Sequence, residues 1–553
     1  MDDSQEALAT RLLRRLETLE ADRANFESVW QEILDYVLPR RADIYGSIVP
    51  GTKRGQQIYD STPNKSLMRL ASALNSMLTN PASKWFDLQI PGLEDPDDEV
   101  KEWLEDVRRV TSQELDNSNF YSQAHELYLD LASLGTSVMY IAESNQPDQT
   151  LYFKTLHLRE AFISENAEEV VDTVHRRFEK TVAQMVEEYG LENLPNEVKE
   201  KYENPATIDE MQPLIHIVLP RRDYAYTGTP DPPSKKKYAS ITIHRATKHI
   251  IKESGYDTFP YVTPRWLKSS GEIYGRSPAW DALADIKTLN AMEKTMLRMG
   301  QKLADPPIQM PSEGFIRTVD LTPSGVNYYD STVDARIEPI LLGGNMPLAR
   351  DMLEDKRTAI KDAFFDNNLH LIDKREMTAQ EVQQRSSENM RVLGPTFSRL
   401  EYEYLEGTVE RVIPILSKAG KLPDPPASIR DMEMKVKFVS PIAKAQRLHE
   451  VQAIEHTVGV AIKSAMEAQK PEILDNIDFD AALRLVADLN GTPMEIMQRE
   501  ENIAKMRKFR AEQAKAQQDI ERQNIQADSA QKLGTAYDKT QGGQPAAETQ
   551  GAE

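Results

Sequence analysis

The residue types that carry most protein chemistry are present in this chain without the spacing that chemistry needs. Nine histidines are spread over 553 residues. None forms H-E-x-x-H or stands with carboxylates at metal-ligand intervals. Neither the phosphate-cradling loop G-x-x-x-x-G-K-[ST] nor the nucleophile elbow G-x-S-x-G occurs. Cysteine is absent, which removes disulfides, thiolate metal sites and thiol nucleophiles together and fits a reducing compartment. The acidic run Asp95, Asp97, Asp98 and Glu99 has the charge to hold a cation but not the ligand order of a calcium loop. At the start of a helix it is better explained by the macrodipole, which favours negative charge there. Arg40 and Arg41, after Pro39, read in the same way as cations at a helix C-terminus. The lysines of residues 230–237 (PDPPSKKK) read as a solvated hairpin tip. No catalytic residue, metal or cofactor is expected.

Architecture is where the sequence is informative, and it is organised around residues 271–307. Ser277 followed by Pro278 starts a helix: a hydroxyl for the free N–H groups, then a ring already at helical φ. Leu283, Ile286, Leu289, Met292, Met296, Met299 and Leu303 then recur every three or four residues, one apolar stripe on one helix. Pro306-Pro307 ends it, since neither can donate a helical hydrogen bond. A second helix opens at Pro347 with Met352, Leu353, Ile360, Ala363 and Phe364. Between the two lies a Pro-, Gly- and Asp-rich knob with short β-like pieces at Gly314–Val319, Val326–Asp330 and Arg336–Leu342. The pair reads as two struts joined by a cap, or as a helical hairpin packed into a globular core.

Elsewhere the pattern is α+β and mainly helical. A first helix, capped by Ser4, carries Leu8, Leu12, Leu16, Leu19, Phe26, Trp30, Ile33 and Val37 and stops at Pro39. Residues 42–61 read as a loop, and a second helix runs from Thr62-Pro63 to Asn80-Pro81. Trp85–Ile90 alternates as a strand, and two helices fill residues 95–135. From Thr136 to Leu267 strands dominate: Val138–Ala142, Tyr152–Leu156, Ala161–Ser164, Val170–Phe178, Leu214–Leu219, Ala239–Arg245, His249–Glu253 and Tyr261–Trp266. A helix capped by Thr181 interrupts them, and the sheet is expected to be mostly antiparallel. Thr378-Ala379-Gln380-Glu381 is a capping box for a helix kinked at Gly394-Pro395 and ended by Pro414 and Gly420. Met434–Val439 reads as a strand, followed by helices near 444–469, 479–490 and 493–530. The last is so polar that support from copies of itself is expected. The tail from Gly534 is low-complexity and reads as disordered.

Composition bounds the function. The chain is long enough for roughly three or four domains, and 40% hydrophobic with 28% charged residues allows substantial cores. A formal net charge of −21 argues against wrapping nucleic acid tightly, because such affinity comes from neutralising phosphates. No apolar run approaches the ~20 residues that span a bilayer, and the N-terminus lacks the order of a signal peptide.

Several pieces, taken in order, resemble one family. They are Trp30 with Tyr36-Val37-Leu38-Pro39-Arg40; Ala73-Leu74-Asn75-Ser76-Met77-Leu78-Thr79-Asn80-Pro81 before Trp85-Phe86; Gly275-Arg276-Ser277-Pro278; Asp305-Pro306-Pro307; and Met377-Thr378-Ala379-Gln380-Glu381-Val382. Their order and spacing look like the head-to-tail connector, or portal protein, of short-tailed (podovirus-like) bacteriophages. The resemblance implies a portal fold: wing (1–270), first stem helix (271–304), clip (305–346), second stem helix (347–365) and channel or tunnel loop (366–377). A long kinked helix and return strand of the wing (378–440), a helical crown or barrel (441–532) and a disordered tail (533–553) complete it. It also implies a ring of twelve copies at one capsid vertex of the virion, assembled in the host cytoplasm and away from any membrane. The implied partners are the terminase large subunit, a tail adaptor or tail-tube protein, the major capsid and scaffolding proteins, internal core or ejection proteins, and double-stranded DNA in passage.

The resemblance gives residues their expected roles. The seven stripe residues become stem packing. In the clip, Asp305, Glu313, Asp320, Asp330, Asp334 and Glu338 outnumber Arg317 and Arg336, as suits a passage that must not hold phosphates. Of these, Glu313, Arg317, Asp320, Asp330, Asp334 and Arg336 are the docking candidates. Asn367, Asn368, His370, Lys374 and Arg375 are the candidates for transient DNA contact. Two rival readings are a nucleic-acid-processing enzyme, for which no motif speaks, and a helical scaffold or adaptor without a channel.

Overall fold

The computed structural model describes residues 3–41, 43–45, 51–93, 96–222, 236–309, 318–320, 328, 338–339, 346–366, 393–430, 432, 434–438, 441–490, 496–498 and 500–541. It is mixed helix and strand and mainly helical, and it divides into two compact units. One joins residues 1–95 with 103–446, the other residues 96–102 with 447–553.

The first unit is built on α1 (Asp3–Val37), which begins one residue before the expected cap Ser4. Its Leu8, Leu12, Leu16 and Leu19 lie on one face and are buried. They pack on Phe162, Ile215, Ile217, Leu219, Ala239, Ile241 and Ile243. Each such side chain contributes roughly 1.5–3 kcal/mol when fully buried. A turn of 3-10 helix, Pro39–Arg41, closes α1. Arg41 is not simply a cation at a helix end: it pairs with Asp130, which is fully buried, and with Glu126 at 3.0 Å. After it come α2 (Thr62–Leu78), strand β1 (Phe86–Gln89), α3 (Asp98–Asp116) and α4 (Phe120–Leu134). Asp98 and Glu99 occupy the first turn of α3, where the dipole reading placed them.

The strands follow: β2 (Val138–Glu143), β3 (Leu151–Leu156), β4 (Ala161–Glu165) and β5 (Val171–Thr181). Thr181 then caps α5 (Val182–Tyr189) through a capping box with Gln184, and α6 (Asn196–Glu203) comes next. Strands β6 (Met211–Pro220), β7 (Tyr238–His244), β8 (His249–Tyr256) and β9 (Tyr261–Val262) complete the series. One sheet has the order β4-β5-β6-β7-β8 and the other β3-β2-β9, every pairing antiparallel. Tyr261–Trp266 was expected as a longer strand; only Tyr261–Val262 pairs, with Arg265 making an isolated bridge to Thr136.

Alternation along β6 and β7 divides their faces. Ile215, Ile217, Ile241 and Ile243 turn to α1, while His216 stands between Tyr261 Oη and Ser240 Oγ, each at 2.9 Å. Burial, with Arg176 and Lys252 nearby, holds the His216 imidazole down at about 3. This neutral polar layer joins the two sheets, with Tyr140 Oη 2.9 Å from Tyr256 Oη.

The chain then enters α7 (Pro278–Asp281), α8 (Leu283–Ala304), β10 (Ile308–Gln309), β11 (Glu338–Pro339) and α9 (Met346–Ala363). Residues 393–400 are helical and run into a π-helical turn, Glu401–Glu406, and α10 (Gly407–Lys418). Pro414 does not end this helix as expected; it lies inside, and the stop comes at Gly420 with φ 67°. The capping box at Thr378 lies outside the described residues, and so does most of the lysine-bearing tip at 230–237. Strand β12 (Lys435–Phe438) pairs back to β1 across the unit.

The second unit contains most of α11 (Pro441–Ala468), with α12 (Phe479–Asn490) and α13 (Glu500–Gln541). Asp478 caps α12 by accepting from Asp480 N and Ala481 N at 3.0 Å, and Arg507 pairs with Asp480 at 2.8 Å. Helix α13 runs through Gly534, where a coil was expected. Met466, Phe509, Ile520 and Ile525 of this unit are exposed.

The hinge between body and rods is a close backbone crossing. Gly135 ends α4 with φ 81°, and a Cβ there would lie 2.7 Å from the Arg276 carbonyl carbon. A Cβ on Gly275 would collide with the Gly135 carbonyl oxygen. Gly275→Ala is therefore expected to overpack this site at a cost of about 1–3 kcal/mol, read as a lowered midpoint of thermal unfolding.

Candidate functional site

The candidate site is the pair of rods, α7–α8 and α9, with the elements that hold their base. Ser277 has extended backbone and accepts from Trp280 N at 3.0 Å, while its own hydroxyl donates to Ser133 O at 2.6 Å. One side chain thus caps the rod and ties it to α4. Gly275 N donates to Thr136 Oγ1 at 2.8 Å beside it. The short α7 passes into α8 through Ala282, whose carbonyl accepts from Ile286 N at 2.9 Å. Together they span about 40 Å at 1.5 Å per residue. Asp305 closes the rod ahead of Pro306, as expected.

Burial along the stripe falls from base to far end. Ile286 and Leu289 are buried, Leu283, Met292, Met296 and Met299 are half-buried, and Leu303 is 48% exposed. Helix α9 behaves alike: Leu353 and Ile360 are buried, while Met352 is 51% and Leu348 56% exposed. Leu297 and Ile308 are exposed as well. Near the far ends of the rods Ile308–Gln309 pairs antiparallel with Glu338–Pro339, with Ile308 opposite Pro339 and Gln309 opposite Glu338.

Charge fixes the base. Lys356 pairs with Asp285 at 2.7 Å, and Arg357 with Asp60 at 2.8 Å and Glu293 at 3.3 Å. The loop before α2 grips α8 from the other side: Tyr59 N donates to Asn290 Oδ1 at 2.7 Å, and Asn290 Nδ2 donates to Gln57 O at 2.8 Å. Burial alone would push the Asp60 carboxyl up, but hydrogen bonds from Thr62 and Arg357, with the charge of Arg357, bring it below its usual 3.8.

A second charged cluster lies in the body. Arg265, 3% exposed, binds Glu403 of the π-helical turn at 2.7 Å and also pairs with Glu165. Lys268 pairs with Glu165 at 3.0 Å and Glu169 at 2.7 Å. Arg265, Lys268, Glu169 and Glu403 line a cleft of about 1300 Å³ with Arg399 and Tyr402. Arg265 and Lys268 are matched by carboxylates, so this part of the wall is a clasp between strand and helix. Among the described residues no three histidines or carboxylates gather as metal ligands, and no helix is long and apolar enough to cross a membrane.

Residues 9–497 match the family described as bacteriophage head to tail connecting protein. The chain belongs to that family. The probable portal protein of Bordetella phage BPP-1 is 31% identical to it over 535 residues, 95% of each chain. The portal protein of Salmonella phage epsilon15 is 30% identical over 523 residues, 92% of each chain.

In this connector-family chain the structure places the stripe residues on the first rod. Of the knob candidates only Asp320 is described, and it is exposed; Glu313, Arg317, Asp330, Asp334 and Arg336 lie outside the described residues. Asn367, Asn368, His370, Lys374 and Arg375 lie outside them too. Among the described residues, Glu338–Pro339 within the expected Arg336–Leu342 is strand, and its partner Ile308–Gln309 was not expected; most of Gly314–Val319 and Val326–Asp330 lies outside the described residues. Sequence reasoning also missed the base clamp, Asp60, Asn290 and Arg357, because its members are far apart in the chain. Arg357→Ala should cost roughly 1.5–3 kcal/mol at neutral pH, the range for hydrogen bonds to charged groups. Because the folded Asp60 carboxyl is depressed, its contribution is present above pH 3.8 and lost as pH falls through the folded value. Thermal unfolding of wild type and variant should accordingly converge at acid pH.

Proposed function

We propose that this chain is a phage portal: copies close into a ring at one capsid vertex, and the genome passes through the bore on packaging and ejection. In this reading α7–α8 and α9 are the stem, residues 305–346 the clip, and residues 366–377 the channel loop. Residues 1–270 and 378–440 form the wing, and α11 to α13 the crown or barrel. The clip would dock the terminase large subunit and then a tail adaptor or tail-tube protein, with capsid, scaffolding and internal core proteins around the wing and crown. The chain makes and breaks no bond; the packaging motor supplies the work.

The observation that carries the reading is the stem stripe. It reaches Leu303, which is exposed on a single copy, and Leu297 on the same rod and Leu348 and Met352 on α9 are exposed as well. An apolar surface rimmed by charge marks a contact yet to be made, and neighbouring stems in a ring would supply it. The two portal proteins similar over nearly the whole chain support the same assignment. The exposed apolar residues of the second unit fit helices that pack on their copies.

Purified protein imaged in negative stain should show closed rings with a central hole; an elongated dimer or a persistent monomer would overturn the proposal. Met296→Asp should place a charge in the packed seam and abolish rings, with helicity by circular dichroism largely kept. Deleting residues 367–374 should leave ring formation intact and lower the DNA retained per filled head.

A further inference from the structure

The second rod does not end freely. Phe364 is fully buried. Phe365 takes a left-handed backbone, φ 58°, which a bulky residue adopts only where its surroundings hold it. Its ring centroid stands 6.3 Å from that of Trp266. Asp366 is 1% exposed, and its Oδ2 accepts from Ser66 Oγ and from an Arg69 guanidinium nitrogen, each at 2.9 Å. The two donors lie three residues apart, on one face of α2. A buried carboxylate is costly unless paired, and a helix end can be closed by glycine or asparagine without one. The same stretch of chain, residues 57–69, also holds Arg357 through Asp60 and Asn290 through the backbone of Gln57 and Tyr59.

We infer that Asp366 is a positioning residue: it latches the end of α9 to α2, so that the chain leaves for residues 367–377 from a fixed point of the body. The inference rests on the portal reading, in which that departure point sets where the bore meets DNA. Arg69 is the outer half of the latch, its side chain 48% exposed, so its removal leaves no hole in the core.

Three readouts test it in the full chain: rings in negative stain, amide hydrogen exchange, and DNA retained per head when each variant replaces wild type in infected cells. Asp366→Asn and Arg69→Gln should both form rings. Exchange at residues 360–366 should quicken roughly tenfold or more, the scale expected for losing a charged hydrogen bond. Exchange at Ile286 and Leu289 should not move, and retained DNA should fall several-fold. Arg69→Lys, which keeps the charge, should restore part of the retention. Faster exchange with unchanged retention, or retention lost only in proportion to missing rings, overturns the inference. If Asp366→Asn yields no rings, Arg69→Gln decides. Absence of rings in the wild type would instead sink the portal reading, and this inference with it.

Discussion

The contact on which the rest of the molecule depends is the crossing of two backbones at Gly135 and Gly275. Neither tolerates a Cβ, because each would strike the other's main chain. With the backbones so close, Thr136 and Ser277 can exchange hydrogen bonds with the opposing strand and helix end. The start of the first rod is thereby fixed against the end of α4 in position and direction. Side-chain packing alone would leave more play, since apolar contacts have no direction of their own.

From that point the rods are held by two kinds of force with different reach. Near the base, ion pairs and amide hydrogen bonds from residues 57–69 bind both rods to the body. These are partly buried pairs, screened less by salt than surface pairs. Away from the base, Leu297, Leu303, Leu348 and Met352 stand exposed on the rods beside charged residues such as Arg298 and Lys302. Methionine suits such a face, being unbranched and able to fit irregular gaps. Rods firmly rooted at the base, with exposed leucine and methionine farther out, suit the lateral packing of copies proposed above.

Much of this was legible in the residues. The stripe from Leu283 to Leu303, the Ser277-Pro278 start and the Pro306-Pro307 stop obey local rules, and local rules survive folding. The same holds for Thr181 as a cap and for the antiparallel strands. What was not legible was long-range polarity. Arg23, in a helix rich in charge, looks like a solvated residue. It is 1% exposed, donates to the carbonyls of Leu158 and Ala161 at 2.6 and 2.7 Å, and lies over the Phe162 ring. Arg265 with Glu403, Arg41 with Asp130 and Asp366 with Ser66 are of the same kind. Each joins residues distant in sequence, and no periodicity marks them. Pro414 misled for a different reason: a proline usually breaks a helix, but this one lies amid Val409, Val412, Ile415 and Leu416, all buried, and their packing outweighs one lost hydrogen bond.

The π-helical turn at Glu401–Glu406 carries a consequence for how this region tolerates change in length. Such a turn holds one residue more than α-helical winding needs. Removing that residue would let the turn rewind as α-helix with the segments on either side keeping their faces, whereas a deletion within Gly407–Lys418 would rotate everything beyond it by about 100°. That rotation would carry Val412, Ile415 and Leu416 out of the interior. The turn is thus a place where the chain can lose one residue with the buried faces on both sides kept, at the cost of re-aiming Glu403 at Arg265.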